Sequence, residues 1–216
     1  MQVRSNCMTE KSKLLHRGLL VEYASLAWMA SESLVAIGAG FFSGSLALIA
    51  FGGDSFIELV SSYTVADYLR RIEKGETSEG QRDESVERIT AFMLFALIPV
   101  IGFGAFYSYL SGIRAEASPL GIAVAFGAVV IMPLLWYEKK RIGHATDCLP
   151  LTIDAIESAT CFLMSIALLA SLLINYLWKI AWTDYVATAA ILIFVGKEAL
   201  ESASEMRKAK SASTEK

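Results

Sequence analysis

The chain has 216 residues, of which 55% are hydrophobic and 19% are charged, and its mean hydropathy is +0.49. This balance lies outside the range of soluble globular domains and indicates an integral membrane protein. The formal net charge of −3 gives no sign of nucleic-acid binding.

Six apolar segments reach or approach the roughly 18 to 20 residues that span a bilayer. The first carries Glu22 and Glu32 and is too long to be a cleaved signal peptide. We therefore expect an all-α membrane protein with a transmembrane domain over 18–201 and a polar cytoplasmic tail over 1–17. We expect residues 202–216 to form a disordered cytoplasmic tail, because this segment is too short for a folded C-terminal cytoplasmic domain. The predicted spans are 18–42, 46–69, 89–110, 120–137, 149–174 and 184–200.

The basic residues predict the orientation of the chain. Six spans place both termini on one side of the membrane, and every Lys and Arg except Arg114 and Lys179 falls on that side. By the positive-inside rule both termini are cytoplasmic. We expect a multi-pass protein of the cell (inner) membrane. The third and fourth spans are essentially free of ionisable groups, Lys139 being assigned to the following cytoplasmic loop, so both should serve as scaffold.

The second span carries two acids on one helix face. Asp54 and Glu58 are four residues apart, so a helix stacks them about one turn apart. An uncompensated carboxylate inside a bilayer costs at least about 2.5 kcal/mol. A divalent cation held by these two oxygen ligands would compensate both charges. Glu32 in the first span lies at a similar depth. It is either a protonated group hydrogen-bonded to a neighbouring helix, or a proton relay or accessory ligand.

The fifth span repeats this spacing. Asp154, Glu157 and Cys161 fall within a stripe about 60° wide. Glu157 and Cys161 are four residues apart, at depths comparable with those of Asp54 and Glu58, so two helices can each present two ligands. Asp154 lies nearer the cytoplasm, where it is an accessory ligand or a water-solvated side chain. A single cysteine in an apolar helix is usually a packing residue, and that alternative stays open for Cys161.

Two segments resemble a known family. SGSLALIAFGGDSFIELVSS is similar to the second-helix region of cation diffusion facilitator (cation efflux) transporters, in which a Gly/Ser turn and an Ala/Leu run precede two acids at i, i+4. YLWKIAWTDYVATAAILIFVGKEALESA is similar to their sixth helix. The resemblance covers roughly residues 12–205, and it is weak in helices three and four.

The resemblance implies a secondary transporter that exports a divalent transition metal (Zn, Fe, Mn or Co) from the cytoplasm by proton antiport. It implies a metal site made by helices two and five, the first half of which matches Asp54 and Glu58. The second half usually reads His-x-x-x-Asp, which is absent here. The distance from Asp184 places it nearest Glu157 and Cys161. An alternative register at Pro150 and Asp154 would supply only one ligand and lies closer to the cytoplasm. The missing histidine weakens the case for zinc as sole cargo. We also expect a homodimer, although without the family's cytoplasmic dimerisation domain.

One rival function is open. A non-transporting relative could use the same buried acids for packing or partner binding. An intramembrane enzyme is disfavoured, because two acids on one helix cannot flank a substrate and no nucleophile constellation with histidine is present. We expect no enzymatic activity and no cofactor besides the transported metal.

Overall fold

The computed structural model describes residues 2–75 and 84–214, and within these ranges all regular secondary structure is helical. The all-α prediction with six helices is confirmed. The helices are α1 (Gln2–Ser43), α2 (Leu46–Glu73), α3 (Glu84–Ser111), α4 (Pro119–Thr146), α5 (Leu149–Trp178) and α6 (Thr183–Thr214).

Several helices extend beyond the predicted spans. Helix α1 begins at Gln2, so the predicted polar tail is helical from that residue onward. Helix α6 continues to Thr214, whereas the sequence predicts a span ending at residue 200 and a disordered tail. Nine of the fourteen residues over 201–214 are Ala, Glu, Lys, Met or Arg, which have high intrinsic helix propensity.

Five helices of the described chain, α1 to α5, are long and apolar enough to cross a membrane. Helix α6 falls short of that criterion, because Asp184, Lys197 and Glu198 interrupt its apolar stretch. It nevertheless packs along α2, α3 and α5. Large apolar side chains of α3, among them Phe92 and Phe103, are exposed and form a surface suited to lipid.

Helix α2 occupies the middle of the bundle, because it contacts α1, α3, α5 and α6. Its approach to α1 is close enough to require glycine. A methyl group added at Gly52 would lie 2.9 Å from the Ile37 backbone nitrogen, and one at Gly40 would lie 2.9 Å from that of Ile49. Side chains of α2 that face away from α1 therefore meet α3, α5 or α6.

The turn before α2 fixes its N-terminal end. Gly44 has a φ of +67°, a conformation that glycine adopts without strain. Ser45 then caps α2, its Oγ accepting from the Leu48 backbone nitrogen at 3.2 Å. An aspartate at the start of a helix, as Asp184 is in α6, commonly caps that helix. Instead its carboxylate accepts from the Leu46 backbone nitrogen of α2 at 3.0 Å, joining the N-terminal ends of both helices.

Candidate cation site

Asp54 and Glu58 lie inside the bundle, as their spacing predicts. Asp54 is 1% exposed and Glu58 is 4% exposed. Neither carboxylate accepts a hydrogen bond from any side chain or backbone group of the described chain. Burying an ionised carboxylate without a partner is strongly unfavourable. The two groups are therefore suited to hold a cation or protons.

Helix α5 brings Glu157 and Cys161 to the same region. Cys161 is fully buried and lies within electrostatic reach of Glu58 and Asp54. Glu157 is half-buried, its Oε2 accepts no hydrogen bond, and it interacts electrostatically with both acids of α2. The structure thus gathers the four predicted residues where α2 and α5 meet.

Glu32 of α1 joins this region through hydrogen bonds. Its Oε1 accepts from Ser55 Oγ of α2 at 2.9 Å and from Cys161 Sγ of α5 at 3.7 Å. These contacts agree with the hydrogen-bonded interpretation of Glu32. Its Oε2 is buried and accepts no hydrogen bond. This oxygen is therefore free to act as an accessory ligand or in a proton relay.

Helix α6 contributes an acid that the sequence analysis did not assign to the site. Glu198 is half-buried, and its Oε1 is enclosed without a hydrogen-bond partner. It interacts electrostatically with Asp54, Glu58 and Glu157. The available signal was an acidic residue inside an apolar helix, at a depth comparable with that of Glu58.

The donor atoms do not form a closed coordination shell. Across the described residues, no group of three or more His, Cys, Asp or Glu side chains is arranged to hold a metal ion. Protein oxygen donors bind divalent metals at about 2.0 to 2.6 Å. The acids surround a common region of the bundle, and side-chain rearrangement is needed before they could share one cation.

A family model of the cation efflux transmembrane domain matches residues 23–209. The chain belongs to the cation efflux family. The match spans every predicted site residue and confirms the resemblance found in the sequence. This cation efflux protein is thus a multi-pass membrane protein whose domain serves metal-cation efflux. Comparison with curated proteins finds no match.

Asp154 of this cation efflux protein belongs to a buried ion-pair group that lies within electrostatic reach of Glu157. Its Oδ1 accepts from Ser62 Oγ at 2.6 Å, and its Oδ2 pairs with Lys139 Nζ. Lys139 also pairs with Glu22 Oε2 at 3.2 Å. Asp154 is 1% exposed, so the water-solvated interpretation is wrong. Both of its oxygens are engaged, which leaves no free oxygen for cargo in this conformation.

Lys139 corrects the sequence interpretation of α4. The sequence assigns it to a cytoplasmic loop, but α4 continues to Thr146 and buries Lys139 completely. Helix α4 continues for nine residues beyond the predicted span end at 137. Lys139 therefore lies on a helix that packs in the bundle, and its side chain faces the bundle interior instead of water. The sequence does contain one indication of a buried basic partner. Glu22 and Asp154 lie in apolar segments that provide no counter-charge of their own.

Proposed function

We propose that the protein is a secondary transporter that exports a divalent transition-metal cation, Zn, Fe, Mn or Co, from the cytoplasm in exchange for protons. One observation carries the proposal. Asp54 and Glu58 are buried on α2 without hydrogen-bond partners, and they face Glu157 and Cys161 of α5 in a membrane domain of the cation efflux family.

The proposed ligands are Asp54, Glu58, Glu157 and Cys161, with Glu32 as an accessory group. Three carboxylates and one thiol can bind several first-row divalent metals. Each ligand must lose its proton to bind, so protons and metal compete for the same atoms. That competition couples the two fluxes without a separate proton pathway.

Alternating access would require the helices that hold the site to rock against the rest of the bundle. Drawing α2 and α5 together would bring the dispersed donor atoms to coordination distance, and separating them would release the cation. We further propose that the transporter acts as a homodimer in the cell (inner) membrane, without enzymatic activity or a cofactor.

Flux measurements in proteoliposomes test the function. The full chain is reconstituted, and movement of Zn²⁺, Mn²⁺, Co²⁺ and Fe²⁺ is followed with a metal-sensitive dye. We expect wild-type protein to transport at least one cation and Asp54→Asn to abolish its transport. Asp67→Asn is the matched control, because Asp67 lies on the same helix but pairs with Arg71 at the surface.

Equal flux by wild-type protein and Asp54→Asn would contradict the site assignment. Absence of flux for all four cations in correctly folded wild-type protein would contradict transport and favour the non-transporting alternative.

A further inference from the structure

Glu198, like Glu32 of α1, is an acid of this region that lies outside the two ligand pairs of α2 and α5. It belongs to α6, which packs against both of those helices. The Asp184 carboxylate anchors the N-terminal end of α6 to the start of α2. Fourteen residues separate Asp184 from Glu198, and twelve separate the start of α2 from Glu58. At about 1.5 Å per residue, the two acids have similar depths.

Acids dominate the surroundings of Glu198, and the exposed Lys197 offsets their negative charge only in part. Its Oε1 is enclosed and accepts no hydrogen bond, and the unpartnered carboxylates of Asp54 and Glu58 lie within electrostatic reach. Among the side chains that the structure describes, no basic group forms an ion pair with Glu198. Its neighbour Lys197 is exposed and pairs with Glu201 at 3.7 Å.

Like-charged groups enclosed together repel one another strongly in a low-dielectric interior. Glu157 adds a fourth carboxylate to Asp54, Glu58 and Glu198. Several carboxylates inside one membrane domain typically mark an ion-binding site or a proton pathway. A divalent cation placed between α2, α5 and α6 would be attracted by all four carboxylates.

We propose that Glu198 is a cargo-binding residue. Its carboxylate, on α6, adds to the ligands of α2 and α5, makes the site rich in oxygen donors and selects Mn²⁺ over Zn²⁺. The proposal rests on the transport function proposed above. Mn²⁺ favours carboxylate oxygens and high coordination numbers, whereas Zn²⁺ favours four ligands with nitrogen or sulfur among them. Four carboxylates outnumber the single thiol of Cys161, so the donor set fits the harder cation.

The test compares Mn²⁺ and Zn²⁺ transport by the full chain in proteoliposomes, with KM and kcat measured separately. We expect Glu198→Gln to raise the KM for Mn²⁺ at least about 10-fold, to change that for Zn²⁺ less, and so to lower the Mn²⁺/Zn²⁺ preference. Glu198→Asp should recover part of the preference. Glu201→Gln is the matched control, because it removes an exposed carboxylate from the same helix and should behave as wild type.

Wild-type KM values and cation preference in Glu198→Gln would overturn the proposal, and so would a loss of kcat with both KM values unchanged, which indicates a structural role. Asp54→Asn, measured alongside, separates the two claims. If it abolishes transport while Glu198→Gln resembles wild type, only the role of Glu198 fails. If Asp54→Asn transports normally, the proposed cation site itself fails.

Discussion

Lys139 shows how a single residue depends on two others inside the bundle. It is fully buried and pairs with Glu22 of α1 and Asp154 of α5. A buried ion pair is weak evidence for net stability, but removing one partner leaves an uncompensated charge. The three side chains therefore connect α1, α4 and α5 as a unit that tolerates joint replacement better than single replacement.

Lys139→Met should lower the free energy of unfolding by about 3 to 5 kcal/mol, because Glu22 and Asp154 lose their counter-charge. Thermal unfolding in detergent measures the effect. Lys140→Met is the control, since Lys140 is exposed and lies over the Trp136 ring. Adding Glu22→Gln and Asp154→Asn to Lys139→Met should recover part of the loss. A Lys139→Met variant as stable as Lys140→Met would contradict this account of the ion pairs.

Cys161→Ser should weaken Zn²⁺ and Co²⁺ transport more than Mn²⁺ transport, because the thiolate is the softest of the proposed donors. The serine hydroxyl introduced by this substitution could still donate a hydrogen bond to Glu32, so folding should be preserved. Parallel KM measurements for the three cations provide the comparison within one variant. Equal KM changes, or none, would identify Cys161 as a packing residue.

At the scale of the helix, the contact between α1 and α2 positions the site. Gly52 lies against the backbone of α1 two residues before Asp54. Gly52→Ala should destabilise the protein by about 1 to 3 kcal/mol, because its Cβ would overlap the Ile37 backbone. Gly38→Ala is the control, since no atom lies within 4 Å of the added methyl group. Equal unfolding temperatures for the two variants would show that α1 and α2 are farther apart than the structure places them.

Local patterns predict individual helices and their acidic faces, because length, apolar composition and i, i+4 spacing act within one element. Asp54, Glu58, Glu157 and Cys161 could be proposed for that reason. The partners of Lys139 and Glu198 could not be predicted, because they depend on how α4 and α6 rotate against other helices. The same holds for Asp154, whose position is predicted by spacing but whose partners, Lys139 and Ser62, lie on α4 and α2.

Across the whole molecule, different helices carry the unpartnered acids, the apolar surface and the buried ion pairs. Helix α2 is central and carries the two unpartnered acids, α5 and α6 bring further carboxylates beside it, and α3 presents an apolar outer surface. The buried ion pairs of Lys139 involve α1, α4 and α5. The proposed exchange of metal for protons requires α2, α5 and α6 to change their spacing around the shared acids.

Simultaneous measurement of metal and proton movement tests the central claim most directly. Proteoliposomes holding the full chain would carry a metal-sensitive dye and a pH-sensitive dye, with Mn²⁺ or Zn²⁺ supplied on one side. We expect metal to enter as protons leave, both fluxes to disappear in Asp54→Asn, and both to persist in Asp67→Asn. Metal movement without opposite proton movement, or unchanged coupled flux in Asp54→Asn, would contradict the account.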